Sequence, residues 1–285
     1  GSDVFTYTYT DAGGCTGSDQ RNVDVIAITE PAFAGNDTAV CVDSGVLQLS
    51  ATPVGGTWSG PQVSASGVFD TGTVGSYTLT YSQGSETCYI YDQVTVLVHG
   101  LPVVNAGDEI ATCLDGGMQV LTAIPAGGTW SGTGVDAAGN FDPLLALPGG
   151  NPVTYTYTDP VTGCENDDAT VVTVNPLPVA AFSNDPIACA NVAFPFTNES
   201  TGGSSYEWDF GDDGSSFSAN PSHIYTTTGT FDVQLIVSTG AGCQDTTYGS
   251  VEVWDVPQAD LALSVDTGCG PLLVDFTNSS VGEGL

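Results

Sequence analysis

The hexapeptide Gly-Gly-Thr-Trp-Ser-Gly occurs twice, at 55–60 and 127–132, and each tryptophan (Trp58, Trp130) stands seventeen residues after a cysteine (Cys41, Cys113). A chain that repeats a pattern at this period folds one small unit more than once, and each copy must find its own core. Around the first copy lie a strand at Val46 to Ala51, the run Gly75-Ser76-Tyr77-Thr78-Leu79-Thr80-Tyr81, Cys88 and the run Val94 to Val98. The second copy follows with Val120 to Ala123, Tyr155, Tyr157, Cys164 and Val171 to Val174. Apolar residues alternate with Thr and Ser, which is the period of a half-buried strand. Gly, Thr, Ser, Val and Asp dominate the 285 residues, and no stretch carries a helical period. The reading is an all-β chain of short strands and turns.

Residues 1–30 repeat the end of the second unit. Val4-Phe5-Thr6-Tyr7-Thr8-Tyr9-Thr10-Asp11, then Cys15, then Val23, Val25, Ile26 and Ile28 match Val153 to Asp159, Cys164 and Val171 to Val174. They are expected to be the last hairpin of a domain whose other strands precede Gly1. Pro31, Pro102, Pro178 and Pro257 each precede a cysteine by ten to twelve residues and read as stiff joints, since proline fixes φ and cannot extend a ladder. The expected division is a terminal hairpin at 1–30, complete domains at 31–100, 101–177 and 178–256, and the opening strands of another at 257–285. Each complete domain is expected to hold about seven strands in two sheets.

The third unit carries a different core. Tyr206-Glu207-Trp208-Asp209-Phe210-Gly211-Asp212-Asp213-Gly214 alternates aromatics with carboxylates and runs into a turn; Pro221, His223, Tyr225, Gly229, Phe231, Val233 and Leu235 follow. This series, from roughly Pro178 to Val253, resembles the polycystic-kidney-disease (PKD) domain, a small extracellular β-sandwich. Trp208 takes the place of Trp58 and Trp130, and the first two units resemble PKD or immunoglobulin-like sandwiches without the Trp-Asp-Phe-Gly-Asp signature. Phe276-Thr277-Asn278-Ser279-Ser280 stands seven residues after Cys269, as Phe196-Thr197-Asn198-Glu199-Ser200 does after Cys189, so 257–285 opens a second PKD-like unit. The fold class is therefore tandem immunoglobulin-like/PKD-like antiparallel β-sandwiches in a linear array.

Arg21 is the single basic residue against 33 acidic ones, for a formal net charge of -32. Such a surface repels phosphate backbones and anionic lipid, which argues against nucleic-acid binding and membrane insertion. Solubility in salty water is the plain reading of the charge, and bridging by divalent cations the sharper one. With no lysine, no phosphate-binding glycine loop, and neither His99 nor His223 in a catalytic setting, the reading is not an enzyme. Trp58 and Trp130 read as core residues rather than sugar platforms.

Eight cysteines without a Cys-x-x-Cys pair, beside two histidines, argue for disulfides made in an oxidising extracellular setting and against zinc. The repeat pattern suggests Cys41–Cys88, Cys113–Cys164 and Cys189–Cys243, each clipping a domain's incoming strand to its outgoing one, with Cys15 and Cys269 paired outside the fragment. The PKD resemblance implies a calcium site at Asn184, Asp185, Asp209, Asp212 and Asp213, although the same oxygens serve as turn caps; no other cofactor is required. Asn36, Asn198 and Asn278 stand in N-glycosylation sequons, and Thr38 and Thr246 in a motif resembling the O-glycosylation site of some secreted bacterial proteins.

Cysteine-clipped units mixed with PKD-like domains and joined by Leu-Pro or Val-Pro linkers resemble the giant surface proteins of the type IX secretion system, such as gliding adhesins and grappling-hook filaments. That resemblance implies an extracellular, cell-surface stalk or filament that carries tension. Its partners would be other copies of the same chain, and a host, prey or surface ligand at a distal tip. The alternative is a set of glycan- or protein-binding accessory modules of a secreted multidomain enzyme.

Overall fold

The computed structural model describes residues 1–25, 30–85 and 88–282; the side chains of Ser85 and Cys88 fall outside the description. Apart from one 3-10 turn at Pro143–Leu145, every regular element among the described residues is a strand. A first hairpin joins β1 (Ser2–Thr10) to β2 (Thr16–Asp24). The first repeat holds β3 (Thr38–Cys41), β4 (Val46–Gln48), β5 (Thr57–Ser59), β6 (Val68–Asp70), β7 (Gly75–Ser85) and β8 (Cys88–His99). The second holds β9 (Ile110–Cys113), β10 (Gln119–Val120), β11 (Thr129–Gly132), β12 (Asn140–Phe141), β13 (Gly149–Thr158) and β14 (Glu165–Asn175). In the third are β15 (Phe182–Ser183), β16 (Ile187–Cys189), β17 (Ala193–Pro195), β18 (Thr197–Asn198), β19 (Ser205–Asp209), β20 (Ser215–Ser216), β21 (Ser222–Ile224), β22 (Gly229–Ser238) and β23 (Gln244–Trp254). A last pair, β24 (Leu261–Leu263) and β25 (Phe276–Asn278), follows.

The sheets follow the repeats. The first has a four-stranded sheet in the order β3-β8-β7-β5 facing a β4-β6 pair, and the second has β9, β14, β13 and β11 in the same order with a β10-β12 pair. The third has a five-stranded sheet, β16-β23-β22-β19-β20, with the pairs β15-β18 and β17-β21. The fold is thus all-β and of the immunoglobulin-like/PKD-like kind. The first two repeats have six strands rather than the expected seven, because next to each proline joint the chain makes single bridges, Phe33 to Thr52 and Asn105 to Ile124. In the third repeat the corresponding segment lengthens into β15 and β18, and β20 adds a further edge strand beside β19, giving nine strands. By compaction the described residues gather into two units, one of residues 1–105, 123–128 and 155–168, the other of 106–122, 129–154 and 169–285.

Cores form where the alternation placed them. In the first repeat Trp58, Phe69, Leu79, Tyr81, Val94, Val96 and Val98 make one buried cluster, with Val96 and Leu79 wholly inaccessible. In the third, Trp208 sits inside an aromatic group, its ring 5.1 Å from Phe182 and 5.6 Å from Phe196, and its indole N–H donates to the Ser218 carbonyl at 3.0 Å. Burying each such side chain contributes about 1.5–3 kcal/mol. Trp58 and Trp130 are 5% and 6% exposed, so both are core residues and not sugar platforms. In β1 and β2, by contrast, both faces are exposed, Phe5, Tyr7 and Tyr9 included, which is marginal for two strands alone in water.

The Gly-Gly-Thr-Trp motif is explained by a tyrosine. The Tyr81 hydroxyl accepts the Gly56 N–H at 2.7 Å and donates to the Pro53 carbonyl, holding the loop before β5. Tyr155 does the same for Gly128 (2.6 Å) and Pro125 (2.6 Å). The ring lies so close that a Cβ on Gly56 would meet it at 2.4 Å and the Ser82 carbonyl oxygen at 2.5 Å. Gly56→Ala is therefore expected to destabilise the first repeat by about 1–3 kcal/mol through overpacking. Tyr81→Phe, which strands the Gly56 N–H and Pro53 carbonyl, should cost a similar ~1–3 kcal/mol. Urea titration followed by tryptophan fluorescence measures both.

Candidate functional site: the cysteine joints and the acidic turn

In every repeat the leading strand lies parallel to the closing strand, and its cysteine pairs with the closing strand's last residue. The register places Cys41 opposite His99, Cys113 opposite Asn175 and Cys189 opposite Trp254. The second cysteine sits at the other end. Cys164 and Cys243 close the turns before β14 and β23, each accepting a backbone hydrogen bond from the residue that opens the turn, Asp159 or Thr239, at 2.8 Å. Gly163 and Gly242, directly before them, take positive φ of 73° and 86°, which glycine adopts without a Cβ penalty.

This register overturns the pairing expected from the repeats. β14 and β23 are 11 residues long, so the two cysteines of one repeat stand on the order of 35 Å apart at ~3.3 Å per residue. A disulfide needs its Cα atoms within about 7 Å. The bonds present are Cys41–Cys164 and Cys113–Cys243, each with Cα atoms 5.6 Å apart. Cys113–Cys164 and Cys189–Cys243 are thereby excluded, and so is Cys41–Cys88, since Cys41 is bonded elsewhere; the Cys88 side chain falls outside the described residues. Each bond runs from the leading strand of one repeat to the hairpin turn of the next, and each lies within a single compact unit. The clip between incoming and outgoing strands is instead the parallel ladder.

Polar groups line both joints. Asn166 donates its side-chain N–H to the Pro102 carbonyl at 2.9 Å, and the Asp245 carboxylate accepts the Ala180 N–H at 2.8 Å. The Cys243 sulfur lies 3.9 Å from the Asn175 carbonyl oxygen. Near the first joint the Asp159 carboxyl is held below the usual carboxylate range. The main causes are hydrogen bonds from the Val161 and Thr162 N–H groups (2.7 and 3.1 Å), with the charge of His99 adding to them.

The acidic turn of the third repeat does not form a cation cage. Asp209 accepts the Gly211 N–H and Asp212 the Gly214 N–H, while the second Asp212 oxygen is 2.8 Å from His223 Nε2. His223 stacks on Phe210 at 4.3 Å and meets Tyr225 edge-on, so it is a packed residue. Tyr225 is pushed far above its ordinary value, mainly by burial and then by Asp212 and Asp209. Asn184 turns its amide to the Asp185 carbonyl, and Asp213 carries a positive φ of 66° at the turn. Among the described residues no three His, Cys, Asp or Glu side chains are placed to hold a metal ion, and Asp209 and Asp212 serve as turn caps.

The sequon asparagines Asn198 and Asn278 are turn formers, accepting the N–H of Ser200 and Ser280 at 2.9 and 3.0 Å. Asn36 and Thr246 are exposed, while Thr38 is half-buried where β3 begins. One feature that sequence reasoning missed is an open cavity of about 340 Å³ lined by Gly55, Gly56, Thr57, Ser82, Gln83, Gly84 and Tyr89. Tyr91, exposed like Tyr89, lies 5.9 Å from it, ring to ring. The signal was present in the Tyr-Ile-Tyr alternation of β8.

A PKD-domain family model matches residues 175–253. The chain belongs to the PKD-domain family through that segment, and with its immunoglobulin-like companions it is a PKD/immunoglobulin-like repeat protein. It is similar to the PKD1 domain of the Vibrio cholerae metalloprotease PrtV, at 32% identity over 27% of this chain and 96% of that one, with a TM-score of 0.24. A Ca2+-stabilised adhesin with which an Antarctic bacterium binds ice aligns at 14% identity over 88% of this chain and 81% of that one, TM-score 0.35. Titin domains I67–I69 align at 13% identity over 79% and 99%, TM-score 0.40. Among curated proteins none matches.

Two measurements follow. Under non-reducing alkylation, Cys113→Ser is expected to expose the Cys243 thiol and leave Cys164 protected; the pairing expected from the repeats would expose Cys164 instead. Asp159 yields a pH dependence. Its folded value is lowered, so its contribution is present at neutral pH and disappears as pH falls through the lowered value. Melting temperature between pH 7 and pH 2 should therefore fall more steeply in the native chain than in Asp159→Asn.

Proposed function

We propose that the chain is a non-catalytic stalk or filament segment of a large secreted bacterial surface adhesin of the type IX kind, which transmits tension and holds a binding tip away from the cell. The observation that carries this reading is the covalent link from each of the first two repeats to its successor. A spacer needs only a linker between domains, whereas here linker and disulfide act side by side. The chain-entropy estimate for closing loops longer than 100 residues is about 4.7 kcal/mol per bond, with sequence separations of 123 and 130.

Strand geometry supports the same reading. Tension reaches a repeat through its leading strand and leaves through its closing strand. Those strands are parallel, so their hydrogen bonds are loaded together in shear rather than opened one at a time. In this reading the domains are 31–100, 101–177 and 178–256, the setting is extracellular, and the chain's partners are copies of itself and a surface ligand at the tip. A second reading, glycan-binding accessory modules, draws on the exposed Tyr89–Tyr91 pair beside its cavity; glycan binding that is lost in Tyr89→Ala would favour it.

Single-molecule pulling tests the stalk. With both bonds intact the covalent path runs from Cys41 to Cys164, back to Cys113 and on to Cys243, so full extension should be roughly half that of the reduced chain at ~3.6 Å per residue. Cryo-electron microscopy of native material should show filaments with a regular axial repeat. Isolated chains ending in a catalytic head would overturn the reading.

A further inference from the structure

We propose that Cys189 is a third joint cysteine: its thiol forms a disulfide with the turn cysteine of a further repeat seated at the exit end of the third, continuing the series begun by Cys41–Cys164 and Cys113–Cys243. This rests on the stalk reading and deepens it by naming the bond that would couple the third repeat to a successor.

The argument is positional. Cys41, Cys113 and Cys189 occupy the same place, the last residue of a leading strand, opposite the last residue of the closing strand. The first two are bonded forward to the next repeat. Cys189 is an exposed free thiol. The turn cysteine of its own repeat, Cys243, is already bonded to Cys113 and lies a full strand length away. Cys269 holds the leading-strand position in its own repeat by the Phe-Thr-Asn spacing, and β24–β25 repeats the pairing of β15–β18. A Cys189–Cys269 bond would therefore join two cysteines of the same kind, unlike either bond present.

The complementary kind of thiol also exists free in this chain. Cys15 closes the β1–β2 turn with a hydrogen bond from the Asp11 N–H to its carbonyl at 2.9 Å, after Gly14 at φ 86°. That is the local geometry of Cys164 and Cys243, and Cys15 too is exposed and unbonded. Leading-strand and turn cysteines are thus two halves of one recurring joint, each present both bonded and free.

The chemistry is thiol–disulfide exchange with an oxidant of the disulfide class, a small molecule or an oxidoreductase. The Cys189 thiolate attacks the oxidant, forming a mixed disulfide and releasing one thiol. The turn cysteine's thiolate then attacks the Cys189 sulfur and releases the second. Two thiol protons are lost, and the two electrons reduce the oxidant to a dithiol.

Non-reducing peptide mapping of native protein, alkylated before extraction, tests this. Arg21 is the only basic residue, so cleavage at aspartate replaces trypsin. The expected result is a Cys189 peptide cross-linked to a peptide whose cysteine directly follows a turn glycine. An alkylated Cys189, or one bonded to Cys243 or Cys269, overturns the proposal. Cys189→Ser removes an exposed thiol and should leave Cys41–Cys164 and Cys113–Cys243 in place while abolishing the third cross-link; their loss or rearrangement would also overturn it. The two readings fail separately. Filaments with an alkylated Cys189 sink this bond and keep the stalk, whereas a cross-linked Cys189 in material bearing a catalytic head supports the bond and sinks the stalk.

Discussion

The parallel pairing of each leading strand with its closing strand is the constraint from which the rest follows. Parallel neighbours cannot be joined by a tight turn, so the connection between them is the whole of the repeat. The leading strand consequently ends where the chain leaves the repeat, and the turn of the last hairpin points back toward where it arrived. A cysteine at the first place and one at the second cannot meet within a repeat, but they can meet across a joint. Cys41–Cys164 and Cys113–Cys243 are that meeting.

Much of this was legible in the sequence. The alternation of Tyr77, Leu79 and Tyr81 with threonines marked β7 and its buried face, the fixed distance from cysteine to tryptophan marked Trp58 and Trp130 as core residues, and the Phe-Thr-Asn spacing matched the last segment to the start of the third repeat, where β24–β25 repeats the β15–β18 pairing. The disulfide pattern was not legible, for a specific reason. An even count and a regular spacing show that the pairing repeats, but they are equally satisfied by bonds within repeats and by bonds between successive ones. The choice depends on whether the leading strand runs parallel or antiparallel to the closing strand. Antiparallel pairing would have carried Cys113 to the turn beside Cys164; parallel pairing carries it to Asn175. Hydrophobic periodicity is the same in both cases. At the acidic turn the sequence offered two roles for the same oxygens, and the structure shows the turn-capping one, with Asp209 and Asp212 accepting backbone N–H groups.

That second point reaches the chain's charge. With a single arginine, whose exposed pair with Asp19 at 3.3 Å contributes little, carboxylates cannot be offset by ion pairs. Many instead terminate turns. Asp11, Asp70, Asp136, Asp159, Asp209 and Asp212 each accept backbone N–H groups two to four residues ahead. At Asp136 the side chain and N–H of Asn140 hold the carboxyl below its usual range. An acidic, turn-rich chain of this kind draws structure from its negative charges locally, although at long range they repel. The repulsion that remains must be opposed by packing and by covalent bonds.

Covalent bonds at the joints do more than add stability. A linker alone leaves two repeats free to bend and twist about one tether, and any tension passes through a segment of about ten residues whose only resistance is its own hydrogen bonds. In the stalk proposed above, a second tether placed beside the last residue of the closing strand would carry part of the load directly from one sheet edge to the next hairpin. The shear-loaded ladder between β3 and β8 then lies immediately behind the bond at Cys41, and that between β9 and β14 behind the bond at Cys113. Each ladder is short, four residues in both repeats, and alone would be a weak point. With the disulfide anchored at the ladder's last residue, pulling the strand out of register requires moving a cross-linked neighbour with it. On the stalk reading, the placement of the cysteine at that residue, rather than anywhere else along the strand, is what would make a short parallel ladder a workable mechanical connection.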